Sequence, residues 1–382
     1  MTTCAHSSGR VGRGLTRPAG RPLRGARAAL AVLVALTVAA CSPSSQPSPD
    51  TPTTTDSTQT QTNATQSQET PMGFTNPVYA FNFPDPQVLR DGDHWVAIAT
   101  NGAGSNVQTL TSDDLVTWEQ ADDALPRVAE WSTPGKVWAP EIIAWPEALG
   151  GGYRMYYTTR APVSPSSSTE PVQCVSVASS DTLAGPYTDT SSAPIVCETD
   201  EGGSIDASPF VDDDGTAWLY WKNDGNAIDA DTWMKVQRLS DDGRSLVGEP
   251  TKLFKQDQAW EGPLVEGPAV VKVDGVYHLF YSGNGFWTDQ YGVGHAVADA
   301  PTGPFTKDPA PLLTSNDVAA GPGHNQLFKV GDQWWTAYHA WPPGAVGDAA
   351  QGRQLWLGRV TFDGRKAAIE PPTATMPVVP GH

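Results

Sequence analysis

The sequence predicts an all-β protein, a five-bladed β-propeller, on three observations: a hairpin-like phrase recurs five times, similar closing phrases follow several copies, and no stretch between copies keeps a helical period. The recurring phrase is a short apolar or aromatic strand behind a Gly-containing turn. It reads DGDHWVAIAT from Asp91, GGGYRMYYTT from Gly150, DDGTAWLYWK from Asp213, DGVYHLFYSG from Asp274 and GDQWWTAYHA from Gly331. Aligned on Trp95, Tyr153, Trp218, Tyr277 and Trp334, the copies stand 58, 65, 59 and 57 residues apart. Period-two alternation and Asp-Gly or Gly-rich turns make each copy a hairpin. The closing phrases are SDDLVTW from Ser112, SDTLAGPY from Ser180, SDDGRSL from Ser240 and ADAPTGPF from Ala298, and they leave room for four strands per copy. Five matching four-stranded units describe a propeller, whereas a β-sandwich requires no such repetition.

The elements before the first blade are of another kind. Residues 1–27 hold six Arg and no acidic residue, and the apolar run Ala28–Ala40 leads to Cys41. A basic start, a short apolar run and a small-residue boundary predict a signal peptide over residues 1–41. Val38-Ala39-Ala40-Cys41 resembles the lipobox of bacterial lipoproteins, so Cys41 is expected to carry the lipid; ordinary secretion with cleavage near the same place is the plainer alternative. Both make the protein an exported one, and the first makes it an extracellular lipoprotein on the cell surface. Residues 42–75 are nearly all Ser, Thr, Pro, Gln and Asp, too poor in apolar surface to offset chain entropy, and are expected to form a disordered linker. The catalytic domain is then residues 76–382.

Removing residues 1–41 takes away 6 of 24 basic and none of 42 acidic residues, which leaves 18 against 42 and a balance of −24. Nucleic acid is excluded as a natural partner on that balance, while neutral polysaccharide suits it. With 14 Trp, 10 Tyr and 10 Phe the chain can furnish a sizeable core. Of the cysteines beyond the leader, Cys174 and Cys197 remain, and in an oxidising compartment they are expected to form a disulfide worth roughly 3 kcal/mol in the chain-entropy model.

In a propeller the first strand of each blade lines the central channel, and these strands start at one mouth. Reading back from the anchor aromatics gives Asp85 in FPDPQVL, Glu141 in WAPEII, Asp206 in SIDASPF, Glu266 in VEGPAVV and His324 in GPGHNQL. One acid near a Pro is ordinarily a turn cap, but five polar residues at corresponding places are a constellation. Glycosidic cleavage needs paired carboxylates, one to protonate the departing oxygen and one to activate water on the opposite face of the sugar; a third can hold the acid protonated. No P-loop, GxSxG elbow or HExxH motif offers competing chemistry, and the seven His make no metal-ligand spacing.

Asn76-Pro77, Asp85-Pro86, Trp138-Ala139-Pro140, Ser204-Ile205-Asp206-Ala207-Ser208-Pro209-Phe210, Glu266-Gly267-Pro268 and Gly321-Pro322-Gly323-His324 follow one another in an order that resembles glycoside hydrolase family 43, over residues 76 to about 370. The resemblance implies a five-bladed propeller and hydrolysis with inversion, with Asp85 as general base, Glu266 as general acid and Asp206 as the residue that orients Glu266 and raises its pKa. A second Glu-Gly-Pro triplet begins at Glu261, five residues too early for the blade register, and is read as a loop. By the same resemblance Arg353 enters the pocket from the last blade, and His324 lies beneath it, either as a bonded core histidine or as a residue that helps hold a calcium ion through water. No cofactor is required for the chemistry; calcium is expected at most as a structural ion. Lys222 and Asn223 are expected to border the opening, and Trp138, Phe286 and Trp287 to stack on a sugar face, although aromatics are often core.

The expected substrates are arabinan, arabinoxylan or their oligosaccharides, attacked as by an α-L-arabinofuranosidase or an arabinan endo-1,5-α-L-arabinosidase. The phrase GSNVQTLTSDDLVTW and the single-domain length favour arabinose over the β-xylosidase alternative. Fructosidases and levansucrases share the fold but begin with Trp-Met-Asn-Asp-Pro and carry a Glu-Cys acid, unlike Phe83-Pro84-Asp85-Pro86 and Glu266-Gly267-Pro268. A non-catalytic surface lipoprotein that binds polysaccharide has no need of all three carboxylates. The protein is expected to act as a monomer, touching the membrane only through the lipid on Cys41.

Overall fold

The computed structural model describes residues 73–166 and 169–376. The expected signal peptide, Cys41 with its expected lipid and nearly all of the expected linker lie outside the described residues. Among those described, no helix is long and apolar enough to cross a membrane.

Five antiparallel sheets follow one another along the chain. The first blade is Gln87–Asp91, His94–Ala99, Gln108–Ser112 and Glu119–Gln120, and the second is Thr133–Ala144, Tyr153–Arg160 and Gln173–Ser180. The third is Ser204–Val211, Ala217–Asn223, Trp233–Leu239 and Leu246–Lys255. Val265–Val273, Val276–Gly283, Gly292–Ala298 and Thr306–Lys307 make the fourth, and Ala320–Val330, Gln333–Trp341, Gln354–Asp363 and Lys366–Ile369 the fifth. Blade two departs from the predicted four strands: its outer position is held by isolated bridges, Ser179 to Thr188 and Val175 to Val196. Its chain leaves early toward the disulfide that joins Cys174 and Cys197, as expected.

The core lies between blades. In the second strand of blade one, Trp95, Ala97 and Ala99 pack with Trp335, Ala337 and Leu355 of blade five, while Val96 and Ile98 pack with Ile142, Met155 and Tyr157 of blade two. Successive side chains of a strand point to opposite faces, and here both faces are covered, which is why the strand reads as an almost unbroken apolar run. The same division holds between blades two and three, three and four, and four and five. A blade alone exposes both its sheets' apolar faces, so each is stable only between neighbours.

The ring is closed by the first described strand. Phe74–Thr75 pairs with Thr375–Met376, and the Asn76 amide donates to the Leu357 carbonyl at 2.8 Å and accepts the Leu357 N–H at 3.0 Å. Phe74 is buried against Trp335. The expected disordered linker, 42–75, therefore runs two residues too far: Phe74 and Thr75 are part of the fold, because one apolar residue among polar ones is enough to dock a strand when a partner edge is open.

Candidate active site

Within each inner strand or just before it, one residue at a corresponding place near the mouth lies in the left-handed backbone region: Asp85 (φ 57), Ala139 (φ 41), Asp206 (φ 57), Gly267 (φ 59) and His324 (φ 49). In blades two to five the pairing register slips there, so a bulge turns the strand end toward the channel. Four of the five are not glycine, and such strain persists only where neighbours over-determine it. The neighbours are visible. The N–H of each of these residues is met by a side chain of the preceding blade: Asp85 by His339 Nδ1 at 3.1 Å, Ala139 by Thr100 Oγ1 at 2.9 Å, Asp206 by Thr158 Oγ1 at 3.2 Å, Gly267 by Asp206 Oδ2 at 2.9 Å and His324 by Ser282 Oγ at 2.8 Å. The ring of clamps passes once around the propeller, and only between blades three and four is the clamp a carboxylate. Gly267 has a further reason to be glycine, since a Cβ there would stand 3.2 Å from the His324 ring.

This geometry corrects the register counted from the sequence. Ala139, not Glu141, is the blade-two counterpart of Asp85 and Asp206, and Glu266 precedes its blade's left-handed residue by one. Counting back from the aromatic anchors crosses the turn between first and second strands, which is lengthened in blade two by the Glu147–Leu149 turn. Glu141 consequently lies deeper in the channel, outside the pocket, where Gln326 Nε2 donates to it. Burial pushes its carboxyl well above the usual range, with Asp206 adding to the effect.

The pocket at the mouth has a volume of about 320 Å³ and is lined by Asp85, Asp206 and Glu266 together with Trp138, His324 and Arg353. Phe286, Trp287, Thr100, Ile205, Asp224 and Asn226 complete it. The three acids found from the sequence are thus brought together. Asp85 accepts hydrogen bonds from Thr100 Oγ1 at 2.5 Å and Arg353 Nη1 at 2.9 Å, and its Oδ1 lies 3.3 Å from His339 Nδ1 and 3.4 Å from His324 Nδ1. Burial alone would push the Asp85 carboxyl up, but Arg353, His324 and the His339 contact outweigh it and hold it well below the usual range. Glu266 accepts from the Tyr291 hydroxyl at 2.7 Å. Burial pushes Glu266 up, buried Lys222 at 3.8 Å pulls it back, Asp206 pushes it up again, and the net direction is upward. One pocket therefore holds an acid pushed toward its ionised form and another pushed toward its protonated form.

The remaining expected residues divide. Trp138, Phe286 and Trp287 line the opening, and Trp287 is 51 % exposed. Arg353 lies over the Phe286 ring at 4.3 Å, and Trp341 Nε1 fixes that loop by donating to the Phe286 carbonyl at 2.7 Å. Lys222 and Asn223 do not border the opening. Lys222 is completely buried, donating to Asn226 Oδ1 at 2.5 Å and standing 3.7 Å from Asp224. Asn223 braces loops instead: its amide donates to the carbonyls of Glu201 and Asp231, and its oxygen accepts the Trp233 N–H at 2.5 Å. Glu261 is structural as read, paired with Lys307 at 2.7 Å and bonded by Tyr281. Sequence reasoning missed His339, Tyr291, Thr100, Asp224 and Asn226. His339 had a faint signal, a polar residue inside the apolar strand WWTAYHAW.

His324 Nδ1 lies 3.4 Å from the Asp85 carboxylate, which Arg353 also grips, and calcium held there would take most of its six to eight oxygens from water. No group of three or more His, Cys, Asp or Glu among the described residues could hold a metal ion.

The chain matches the family described as Glycosyl hydrolases family 43 over residues 74–365. It is 31% identical over 291 residues to a β-D-galactofuranosidase of Aspergillus niger, covering 72% of this chain and 78% of the fungal protein. A crystal structure of a thermostable family-43 glycoside hydrolase superposes with a TM-score of 0.70 at 28% identity, over 81% of this chain and all, 100%, of the other. An endo-1,4-β-xylanase from Bacteroides thetaiotaomicron superposes with a TM-score of 0.65 at 28% identity, over 80% of this chain and 98% of its own.

Proposed function

The chain belongs to glycosyl hydrolases family 43, and we propose that it removes furanosyl residues, arabinofuranosyl first, from plant polysaccharide with inversion at the anomeric carbon. The observation that carries this reading is the opposite polarisation of Asp85 and Glu266 across one small pocket. In the proposed reaction Asp85 accepts a proton from water as the water oxygen attacks the anomeric carbon. The bond to the leaving oxygen breaks as Glu266 gives that oxygen its proton, so Asp85 ends protonated and Glu266 ionised. Asp206 is proposed to act through the backbone, gripping the Gly267 N–H next to the acid, and through its charge, which disfavours ionised Glu266. Arg353 is proposed to hold Asp85 and to offer its remaining donors to sugar hydroxyls.

A five-membered ring is supported by the relative named as a β-D-galactofuranosidase, since β-D-galactofuranose and α-L-arabinofuranose differ by one exocyclic hydroxymethyl group. A second reading, cleavage of β-xylosyl linkages, is favoured by the similar structure named as an endo-1,4-β-xylanase. A release assay on arabinan, arabinoxylan, xylo-oligosaccharides and a galactofuranoside, with products resolved by length and their anomers followed by proton NMR, separates the two. Inverted arabinose is the expected first product; xylose alone overturns the substrate, and a retained anomer overturns the mechanism. Export and lipid attachment at Cys41 belong to the same proposal and are tested by whether Cys41→Ala releases the enzyme from the membrane fraction.

A further inference from the structure

A second cleft, of about 520 Å³, opens between blades two and three. Its walls are Gly150 and Gly151, between the first and second strands of blade two, Ser179–Thr182, at the end of its third strand, and Arg244, in the turn joining the third and fourth strands of blade three. In an up-and-down blade these turns lie at the end opposite the start of the inner strand, so the cleft faces away from the pocket that holds Asp85. It cannot be an extension of that pocket.

Two guanidinium groups face it. Arg154 is only 9 % exposed and stacks on Trp145, its guanidinium carbon 5.4 Å from the ring centroid. Its Nε donates to the Asp242 carbonyl at 3.1 Å and its Nη1 to the carbonyls of Tyr153 at 3.2 Å and Gly151 at 3.4 Å. All three partners are uncharged. Arg244, exposed beside it, donates to Ser179 Oγ. Among the described residues the arginine ion pairs are those of Arg238, Arg353 and Arg365, and neither Arg154 nor Arg244 makes one. The nearest acids are otherwise engaged or on the rim: the Asp242 carboxylate accepts from Ser240 Oγ at 2.6 Å and from the Arg244 N–H at 3.0 Å, and Asp181 is exposed. The nearest opposite charge, the Asp242 carboxylate, attracts both guanidinium groups but forms an ion pair with neither, and at buried Arg154 the second cation adds repulsion. Burial first, and then Arg244, hold the Arg154 guanidinium below its usual range.

We propose that this cleft binds the carboxylate of a uronic acid residue, clamped between Arg154 and Arg244, with Ser180, Thr182 and Thr188 meeting the sugar hydroxyls. Planar guanidinium forks match a carboxylate, and a cleft of this size takes one or two sugar units. The site serves as an anchor on acidic polysaccharide, on the opposite face from catalysis, and stands independently of the substrate read for the pocket.

The test uses the whole protein in affinity electrophoresis through gels holding polygalacturonate, the same polymer after carboxyl reduction, or neutral arabinan. Arg244→Glu is the variant, since it replaces an exposed turn residue, and thermal unfolding checks that it folds. Retardation by polygalacturonate that is lost on carboxyl reduction and weakened about tenfold in Arg244→Glu is expected. Equal retardation of both proteins, equal retardation by the reduced polymer, or binding of inorganic phosphate without any uronate binding overturns the proposal. Hydrolysis of a neutral aryl arabinofuranoside is expected to be unchanged by Arg244→Glu, so failure here and failure of the pocket's reading are distinguishable.

Discussion

Asp85 and Glu266 stand on two sides of one pocket and are buried to a similar depth, yet their surroundings drive them apart. Around Asp85 stand the Arg353 cation, the donating Thr100 hydroxyl and the rings of His324 and His339. Around Glu266 the ammonium of Lys222 is held 3.8 Å away and shared with Asp224 and Asn226, while Asp206 opposes ionisation. Burial penalises charge equally on both sides, so the sign of each shift is decided by what else points at the carboxyl. A fold with five similar blades can thus make an acid and a base from similar material by changing the residues that surround each carboxyl, one blade at a time.

The largest effects come from removing either carboxyl. Asp85→Asn and Glu266→Gln are each expected to fold normally and to lose hydrolysis of arabinan by about a thousandfold or more, measured as kcat/KM. Asp85→Asn with substantial turnover would remove Asp85 from the role of base. Next in size is Arg353→Met, which takes away the strongest opposition to burial at Asp85. Its carboxyl is expected to rise, moving the acidic limb of the pH–rate profile upward, and a profile unchanged in shape would mean that Arg353 only binds sugar.

Lys222→Met sharpens the other side. Without the cation the Glu266 carboxyl is expected to rise further, so the alkaline limb moves to higher pH while KM changes little; a KM effect alone would return Lys222 to the substrate contacts expected from sequence.

A smaller effect concerns stability, at a site away from the pocket. His278 and His295 are buried and bonded to each other at 2.9 Å, with Asp308 at 2.8 Å behind them. Burial, with the neighbouring His295 and Arg365, pushes His278 down to about 4. The unfolded chain binds that proton near 6.5, so the stabilisation is complete above 6.5 and is lost as pH falls from 6.5 through 4. His278→Gln is expected to flatten the fall of Tm over that window, and parallel curves for variant and parent would contradict it.

The blades and the four residues closest to the chemistry were legible because repetition exposes them. Asp85, Asp206 and His324 occupy the repeated left-handed position, and Glu266 adjoins it. Roles were legible only through the family resemblance, since register says where a carboxyl sits and not which proton it holds. Glu141 was misplaced because the turn that separates it from Tyr153 is longer than its counterparts. His339 was missed because an apolar second strand conceals it, and Tyr291 because it stands just before a third strand, away from the repeated position; their rings stack 5.6 Å apart beside the acids. Asn223, beside buried Lys222, was read as a pocket residue because sequence places neighbours together and a strand end does not.

The division of labour between Asp85 and Glu266 is tested most directly by varying the leaving group. On an aryl arabinofuranoside with a strongly acidic phenol, which departs without protonation, Glu266→Gln is expected to recover most of the activity that it loses on arabinan, while Asp85→Asn stays inactive on both. Recovery by Asp85→Asn and not by Glu266→Gln would exchange their roles and contradict the account.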